Sequence, residues 1–221
     1  MTKDTERYSA CMDEIKLRAD LIHKIIQSRV SLGSELFDGE IICLQIRKIL
    51  ELIALSSLVA NKEKYAAAYE KFQFHWKANK ILEALGKINP DFYPTPVKIS
   101  QKGKVGENNF WHLEHIKDGY LTKDEFIKLL DICSDALHIW NPYNPRKRII
   151  NFELSVDEWM KKIECLLQIH SMHLADSKDY WLVVMGKLQE KVHTYTLGHM
   201  DISSAPLEAQ ALMQIPESCE K

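Results

Sequence analysis

The sequence predicts an α+β protein that is mainly helical: a helical bundle with a short inserted β-hairpin and a second β-hairpin near the C-terminus. Three observations support this fold class. Apolar residues recur at steps of three and four over long stretches, which is typical of amphipathic helices. Runs of β-forming residues surround a Gly-Lys loop within residues 97–115, and two further runs flank the segment KLQE. With 221 residues, of which 46% are hydrophobic, the chain can bury a full core.

The first two predicted helices are separated by a segment that contains glycines. Apolar spacing predicts a first helix over about residues 5–31. The segment SLGSELFDGE then interrupts the pattern and offers Ser34 or Asp38 as the N-cap of the next helix. That second helix, over about residues 35–60, is the most apolar stretch, but its charged residues argue against a membrane span.

A third helix is predicted over about residues 64–85, and the inserted hairpin follows it. Aromatic residues supply much of its apolar side, namely Tyr65, Tyr69, Phe72 and Trp76. Gly86 and the pair Asn89-Pro90 end this helix, and DFYPTP must be extended because residues before proline avoid the helical region. The β-excursion at 97–115 comes next.

Two more helices and a hairpin are predicted in the second half of the chain. Thr122 and Glu125 have the spacing of a capping box, at the start of a helix that ends near Trp140. Another helix follows Ser155 and covers about residues 156–173. The runs KDYWLVVMG and KVHTYTLGHM predict the second hairpin. We therefore expect a bundle over 1–173, a hairpin packed on it over 174–200, and a loose tail over 201–221.

Composition and missing motifs limit the function. Lys+Arg of 29 and Asp+Glu of 31 give a formal net charge of -2, so no overall positive field draws the protein to nucleic acid. A polar N-terminus and five cysteines without a CxxC pair predict a cytoplasmic protein with reduced thiols and no membrane association. The motifs GxGxxG, GxxxxGK[ST] and GxSxG do not occur, and we expect no cofactor.

The histidines give little support for a metal centre. His170 and His173 are three residues apart on a predicted helix, with Asp176 nearby as a third candidate ligand. Helix-end and surface histidines are the better interpretation. No metal site is therefore predicted.

The first candidate site combines Arg47, Glu51 and His138 as catalytic residues. Arg47 and Glu51 are four residues apart on the second helix, so their side chains can pair. An imidazole can transfer a proton near neutral pH, and a guanidinium can hold a phosphate. Such a set suits a metal-independent ribonuclease in which the ribose 2′-OH is the nucleophile. The alternative is structural: an internal ion pair, and a histidine that caps the C-terminus of its own helix.

The second candidate site is the basic loop after that helix. We expect Arg146 and Arg148 to meet phosphates, Asn141 to hydrogen-bond a phosphate or a base edge, and Trp140 and Tyr143 to stack on bases. The alternative is a solvated loop of ordinary charge density.

Three stretches together resemble a known superfamily: LQIRKILELIALSSLVANKEKY, HWKANKILEALGKINPDFYP and YLTKDEFIKLLDICSDALHIWNPY. They are similar, over about residues 35–145, to the HEPN (higher eukaryotes and prokaryotes nucleotide-binding) superfamily. Two features carry the resemblance. One is the RKxLE pattern on the second helix, and the other is a late helix that ends in Leu137-His138 before Asn141.

The resemblance implies a helical bundle that dimerises and contacts RNA or nucleotide. Many HEPN proteins are RNA-cleaving toxins or effectors of bacterial defence, and others are non-catalytic partners. The active ribonucleases carry an arginine four to six residues before the histidine, where this chain has Ser134, Cys133 and Ile132. Two functions are therefore expected: an RNA- or nucleotide-contacting protein with ribonuclease activity, or a non-catalytic dimeric scaffold that binds a protein partner. The second helix, apolar nearly all round, also favours a homodimer.

Overall fold

The computed structural model describes residues 2–105, 108–139, 141, 143, 152–175 and 177–198. These residues form an α+β fold that is mainly helical, which confirms the predicted class. The helices are α1 (Lys3–Ile26), α2 (Glu35–Ala60), α3 (Lys62–Ala68), a 3-10 turn (Phe72–Phe74), α4 (Ala78–Ile88), α5 (Lys123–Ala136) and α6 (Val156–Leu167). The strands are β1 (Thr95–Val105), β2 (Asn108–His115), β3 (Ile169–His173), β4 (Tyr180–Val184) and β5 (His193–Leu197).

Short polar side chains start several of these helices. Ser34 Oγ accepts a hydrogen bond from the N–H of Phe37 at 3.2 Å, so α2 begins where the sequence predicts. The capping box of Thr122 and Glu125 is present at the start of α5. Helix α1 is shorter than predicted. It ends at Ile26, and Ser28 then takes a left-handed conformation with φ of 54°.

Helix α2 lies at the centre of the helical part. It packs against α1, α4 and α5, and Ile46, Ile49 and Ile53 have no exposed surface. Its apolar character is therefore explained by packing within one chain and gives no separate support for a homodimer. No described helix is long and apolar enough to cross a membrane.

The continuous third helix predicted over 64–85 is wrong. The chain leaves α3 after Ala68, makes a 3-10 turn and resumes a helix only at Ala78. The break contains neither glycine nor proline; Lys71 takes the left-handed conformation, with φ of 60°. As a result, Trp76 is 61% exposed instead of packed on the apolar side of a helix, and Phe74 is 70% exposed.

The two predicted hairpins belong to one antiparallel sheet of the order β2-β1-β3-β4-β5. Strand β3 joins them: Ser171 pairs with Thr95 of β1 and with Leu182 of β4. The sequence predicted β3 as the end of a helix over 156–173. That prediction is wrong, since residues 169–173 form a strand. The strand was missed because His170 to Met172 are all buried and do not alternate as a half-exposed strand does.

A buried polar contact joins α1 to the centre of this sheet. His170 Nδ1 lies 2.7 Å from the carbonyl oxygen of Leu167, so Nδ1–H donates and Nε2 accepts from the Tyr8 hydroxyl, also at 2.7 Å. Neither Tyr8 nor His170 has exposed surface. Burial lowers the pKa of His170 to about 4, so the ring is neutral at physiological pH.

Candidate functional site

The pairing of Arg47 with Glu51 is present on α2. Arg47 Nε donates to Glu51 Oε1 at 3.1 Å, and Lys48 Nζ donates to Oε2 at 2.8 Å. Two cations therefore share one carboxylate. The Glu51 side chain is mostly buried, whereas about a third of the Arg47 side chain, 32%, reaches solvent.

Both residues line a cavity of about 190 Å³ between α2, α4 and α5, which we call the Arg47 cavity. Its other lining residues come from the start of α4 and from one face of α5: Trp76, Lys77, Ala78, Asn79, Leu130, Asp131 and Ser134. The fold thus brings the RKxLE pattern of α2 next to α5, the helix that His138 follows.

The start of α4 opens into the Arg47 cavity. Its N-cap residue is Lys77, whose side chain makes no capping hydrogen bond to any residue that the structure describes. Asn79 uses its own Oδ1 to accept from the N–H of Lys80, at 2.8 Å. An uncapped helix start presents free N–H donors and partial positive charge. This wall of the cavity therefore favours an anion.

The charges of the Arg47 cavity are mixed. Arg47 and Lys77 are cationic, and Glu51 and Asp131 are carboxylates. Glu51 is already compensated by two cations. Within the described residues the guanidinium of Arg47 donates through Nε, which leaves both of its terminal nitrogens able to bind a phosphate oxygen.

His138 lies beyond the C-terminal end of α5. Leu137 is the C-cap, and the N–H of His138 donates to the carbonyl oxygen of Asp135 at 3.2 Å. The side chain is exposed and is not among the described residues that line the Arg47 cavity. Its spacing from Asp131 and Ser134 continues their face of α5 by one turn. The described contacts join Arg47 to Glu51 and join neither of them to His138.

The loop residues predicted to bind nucleic acid are only partly described. The N–H of Tyr143 donates to Asn141 Oδ1 at 3.0 Å, and both side chains are exposed. Trp140, Arg146 and Arg148 lie outside the described residues.

The histidine pair considered for a metal lies on strand β3 instead of on a helix. His170 and His173 are three residues apart, so a strand directs them to opposite faces. His170 is engaged by Tyr8 and Leu167, and Asp176 lies outside the described residues. Among the described residues no group of three metal-binding side chains comes together.

A larger cavity, of about 320 Å³, lies between α1, α6 and the turn after β4. His23 Nε2 is 3.2 Å from Glu164 Oε1, and burial raises the pKa of Glu164. Lys16 Nζ donates to three carbonyl oxygens of that turn, those of Met185, Lys187 and Glu190. Because these groups hold the three elements together, we assign this cavity a structural role.

The sequence-based prediction of the site missed Trp76, Lys77 and Asp131. Trp76 was assigned to the core of the third helix. Phe72 and Trp76 are four residues apart, which fits one helix face, so the sequence offers no local signal that Trp76 is exposed.

Comparison with known proteins gives no relative. No family model matches the chain, and no similar curated protein or solved structure is found. The resemblance to the HEPN superfamily therefore stays a prediction that rests on the residues quoted above.

Proposed function

We propose that this protein binds RNA or a nucleotide through a phosphate held in the Arg47 cavity. The observation that carries the proposal is that Arg47, Lys77 and the uncapped start of α4 line one cavity. A guanidinium can donate two parallel hydrogen bonds to a phosphate, and a helix N-terminus adds backbone donors.

The size of the cavity sets how much of the ligand it can hold. About 190 Å³ is smaller than the roughly 300 Å³ at which pockets for drug-sized ligands begin. A phosphate and part of its ribose fill such a space, and the rest of the ligand lies outside. The size of the cavity therefore favours a site that binds one nucleotide phosphate of a longer RNA.

The resemblance to HEPN proteins supports the same ligand class. Arg47 and Glu51 of the RKxLE pattern both line the cavity. We accordingly propose a role of the bacterial defence or toxin type. Cleavage would require His138 to reach the ribose next to the phosphate at Arg47, and His138 lies one turn beyond the cavity lining. We therefore propose binding as the primary function.

The test compares Arg47 with Arg18, an arginine outside the Arg47 cavity that also pairs with a glutamate four residues away. Arg18 of α1 bonds Glu14 and also Gln45 of α2, and the side chains of Arg18 and Arg47 are 25% and 32% exposed. Binding of a fluorescent 20-nucleotide RNA is measured by anisotropy. We expect Arg47→Ala to weaken binding by about tenfold, the effect of one charge-assisted hydrogen bond, and Arg18→Ala to leave it unchanged. Equal affinities of the two variants would contradict the proposal.

The same RNA, incubated without metal and examined on a gel, tests turnover. Cleavage that is lost in both His138→Ala and Arg47→Ala would assign a ribonuclease with a rearranged motif. Binding without cleavage would assign a binding protein.

A dimeric scaffold is a second candidate, and one observation favours it. The start of α2 exposes Leu36 and Phe37, by 63% and 52%, with Leu32 close to them in sequence. Clustered apolar side chains on a surface mark interaction sites. If this surface forms a dimer, light scattering will give twice the chain mass, and Leu36→Glu will reduce it to one chain.

A further inference from the structure

We infer that the ligand is single-stranded RNA and that one of its bases stacks on Trp76, in an aromatic groove beside the Arg47 cavity. This inference rests on the proposed function. The groove has a volume of about 380 Å³. Its aromatic lining consists of Tyr65, Tyr69, Phe74, His75 and Trp76.

The floor of the aromatic groove is held in place before any ligand binds. Tyr65 is buried, and its hydroxyl lies 2.9 Å from Nδ1 of His75. The Tyr65 ring also packs against the rings of Tyr69 and His75, with centroids 4.8 and 5.7 Å apart. A ligand that enters the groove therefore meets rings that are already ordered, which lowers the entropic cost of binding.

The outer part of the aromatic groove exposes two large rings. Phe74 and Trp76 have most of their surface in solvent, so neither ring is used to fill the core. Lys77 Nζ lies 5.6 Å from the centroid of the Trp76 ring. A ring beside an ammonium suits a nucleotide, whose base stacks while its phosphate meets the cation.

The charged lining of the groove favours an anion. Lys77, Lys80 and Lys87 stand against one carboxylate, Glu83. Glu83 lies 3.0 Å from Lys80 and 3.3 Å from Lys87, and the hydrogen bonds from these lysines lower the pKa of Glu83. Glu83 is therefore ionised and compensates part of the positive charge, which leaves an excess of lysine.

The groove and the Arg47 cavity adjoin, because Trp76 and Lys77 line both. A base on Trp76 is thus next to a phosphate in the cavity. In a duplex the bases are stacked inside the helix and cannot reach a side-chain ring, so the arrangement selects single strands. An acidic peptide would satisfy the lysines, but it offers no flat ring to Trp76.

The experiment measures the affinity of a labelled 12-nucleotide RNA, alone and annealed to its complement. We expect the single strand to bind at least about tenfold more tightly, and Trp76→Ala to weaken it about five- to a hundredfold, the range for loss of one stacked base. Trp76→Phe should keep most of the affinity. Leu17→Ala, which removes an exposed apolar side chain of α1 outside the groove, should have no effect. Glu83→Gln should strengthen binding about two- to threefold, since it frees Lys80 and Lys87.

The outcomes separate this inference from the proposed function. Equal affinity for single strand and duplex, with Trp76→Ala as tight as the wild type, would overturn the inference even if Arg47→Ala weakens binding. Loss of affinity in Trp76→Ala but not in Arg47→Ala would support the base site and overturn the phosphate site. If polyglutamate displaces the RNA at equal chain length, and its own binding also needs Trp76, the groove is a peptide site and the inference is wrong.

Discussion

Two tyrosine–histidine pairs in this protein have the same chemistry and different surroundings. Tyr8 and His170 meet at 2.7 Å in the core, and Tyr65 and His75 meet at 2.9 Å in the aromatic groove. The core pair has no exposed surface, and both ring nitrogens of His170 are hydrogen-bonded. In the groove, the His75 ring is half-buried, and the exposed Trp76 follows it directly.

The difference shows how to separate residues that hold the fold from residues that are available to a ligand. Both regions are rich in aromatic rings, so composition does not distinguish them. What distinguishes them is whether the polar atoms and ring faces are already occupied. The core pair is buried with its polar atoms hydrogen-bonded, whereas the outer rings and the lysines of the aromatic groove are exposed.

The largest expected contrast comes from truncating one ring in each region. Tyr8→Ala should lower the free energy of unfolding by about 3–5 kcal/mol, because it leaves a cavity in the core. Trp76→Ala should change it by less than about 0.5 kcal/mol, as is usual for exposed positions. Urea denaturation measures both. A large loss for Trp76→Ala would show that Trp76 supports the fold, and the comparison would fail.

The second contrast concerns pH. An unfolded histidine has a pKa near 6.5, and burial lowers that of His170 to about 4, so between these values the unfolded chain binds more protons than the folded one. The contribution of neutral His170 is complete above pH 6.5, and roughly 3 kcal/mol of it is lost as the pH falls to 4.

Urea denaturation from pH 7.5 to 4 measures this loss. The His170→Gln protein should lack this component of the pH dependence, whereas His75→Gln should retain it. An unchanged pH dependence in His170→Gln would contradict the assignment.

Removing a single hydroxyl from each pair gives a smaller and sharper comparison. Tyr8→Phe leaves Nε2 of His170 buried without a donor, at an expected cost of about 1–3 kcal/mol. Tyr65→Phe should cost about 1 kcal/mol or less, because the half-buried His75 can turn to water. Thermal unfolding of the two variants at pH 7.5 checks the order. The reverse order would mean that the groove pair is the structural one.

The smallest expected effect concerns the salt dependence of RNA binding. Lys77→Ala should reduce the slope of log K against log salt by about 0.7, the value for one phosphate contact on a single strand. Titrations between 50 and 200 mM KCl would measure it, and Lys3→Ala at the start of α1 serves as the control. Identical slopes for the two variants would remove Lys77 from the binding surface.

Much of the fold is readable from the sequence where local signals agree. Ser34 and the capping box at Thr122 mark helix starts correctly, and α2 keeps the predicted bounds of 35–60. The C-terminal hairpin is also present, with Tyr180 opposite Leu197. In each case caps, turns and periodicity indicate the same element.

Two elements were missed because no local signal marks them. Helix α6 passes into β3 through Gln168 without glycine or proline, so the apolar run looks like one helix. The break after α3 depends on the left-handed conformation of Lys71, which the presence of a lysine does not predict.

The candidate site could be predicted only in part. The i,i+4 spacing of Arg47 and Glu51 is enough to predict their ion pair. The placement of Trp76 and Lys77 against them is a tertiary effect, because it depends on where α4 begins after the missed break. The exposure of Trp76 was not predicted for the same reason.

The most direct measurement is photocrosslinking of a 12-nucleotide RNA that contains 4-thiouridine, followed by mass spectrometry of the attached peptides. We expect crosslinks within residues 72–87, with Trp76 prominent among them, and their loss in Trp76→Ala. Crosslinks confined to the hairpin of β1 and β2, or to the exposed start of α2, would show that the surface beside Arg47 does not bind RNA.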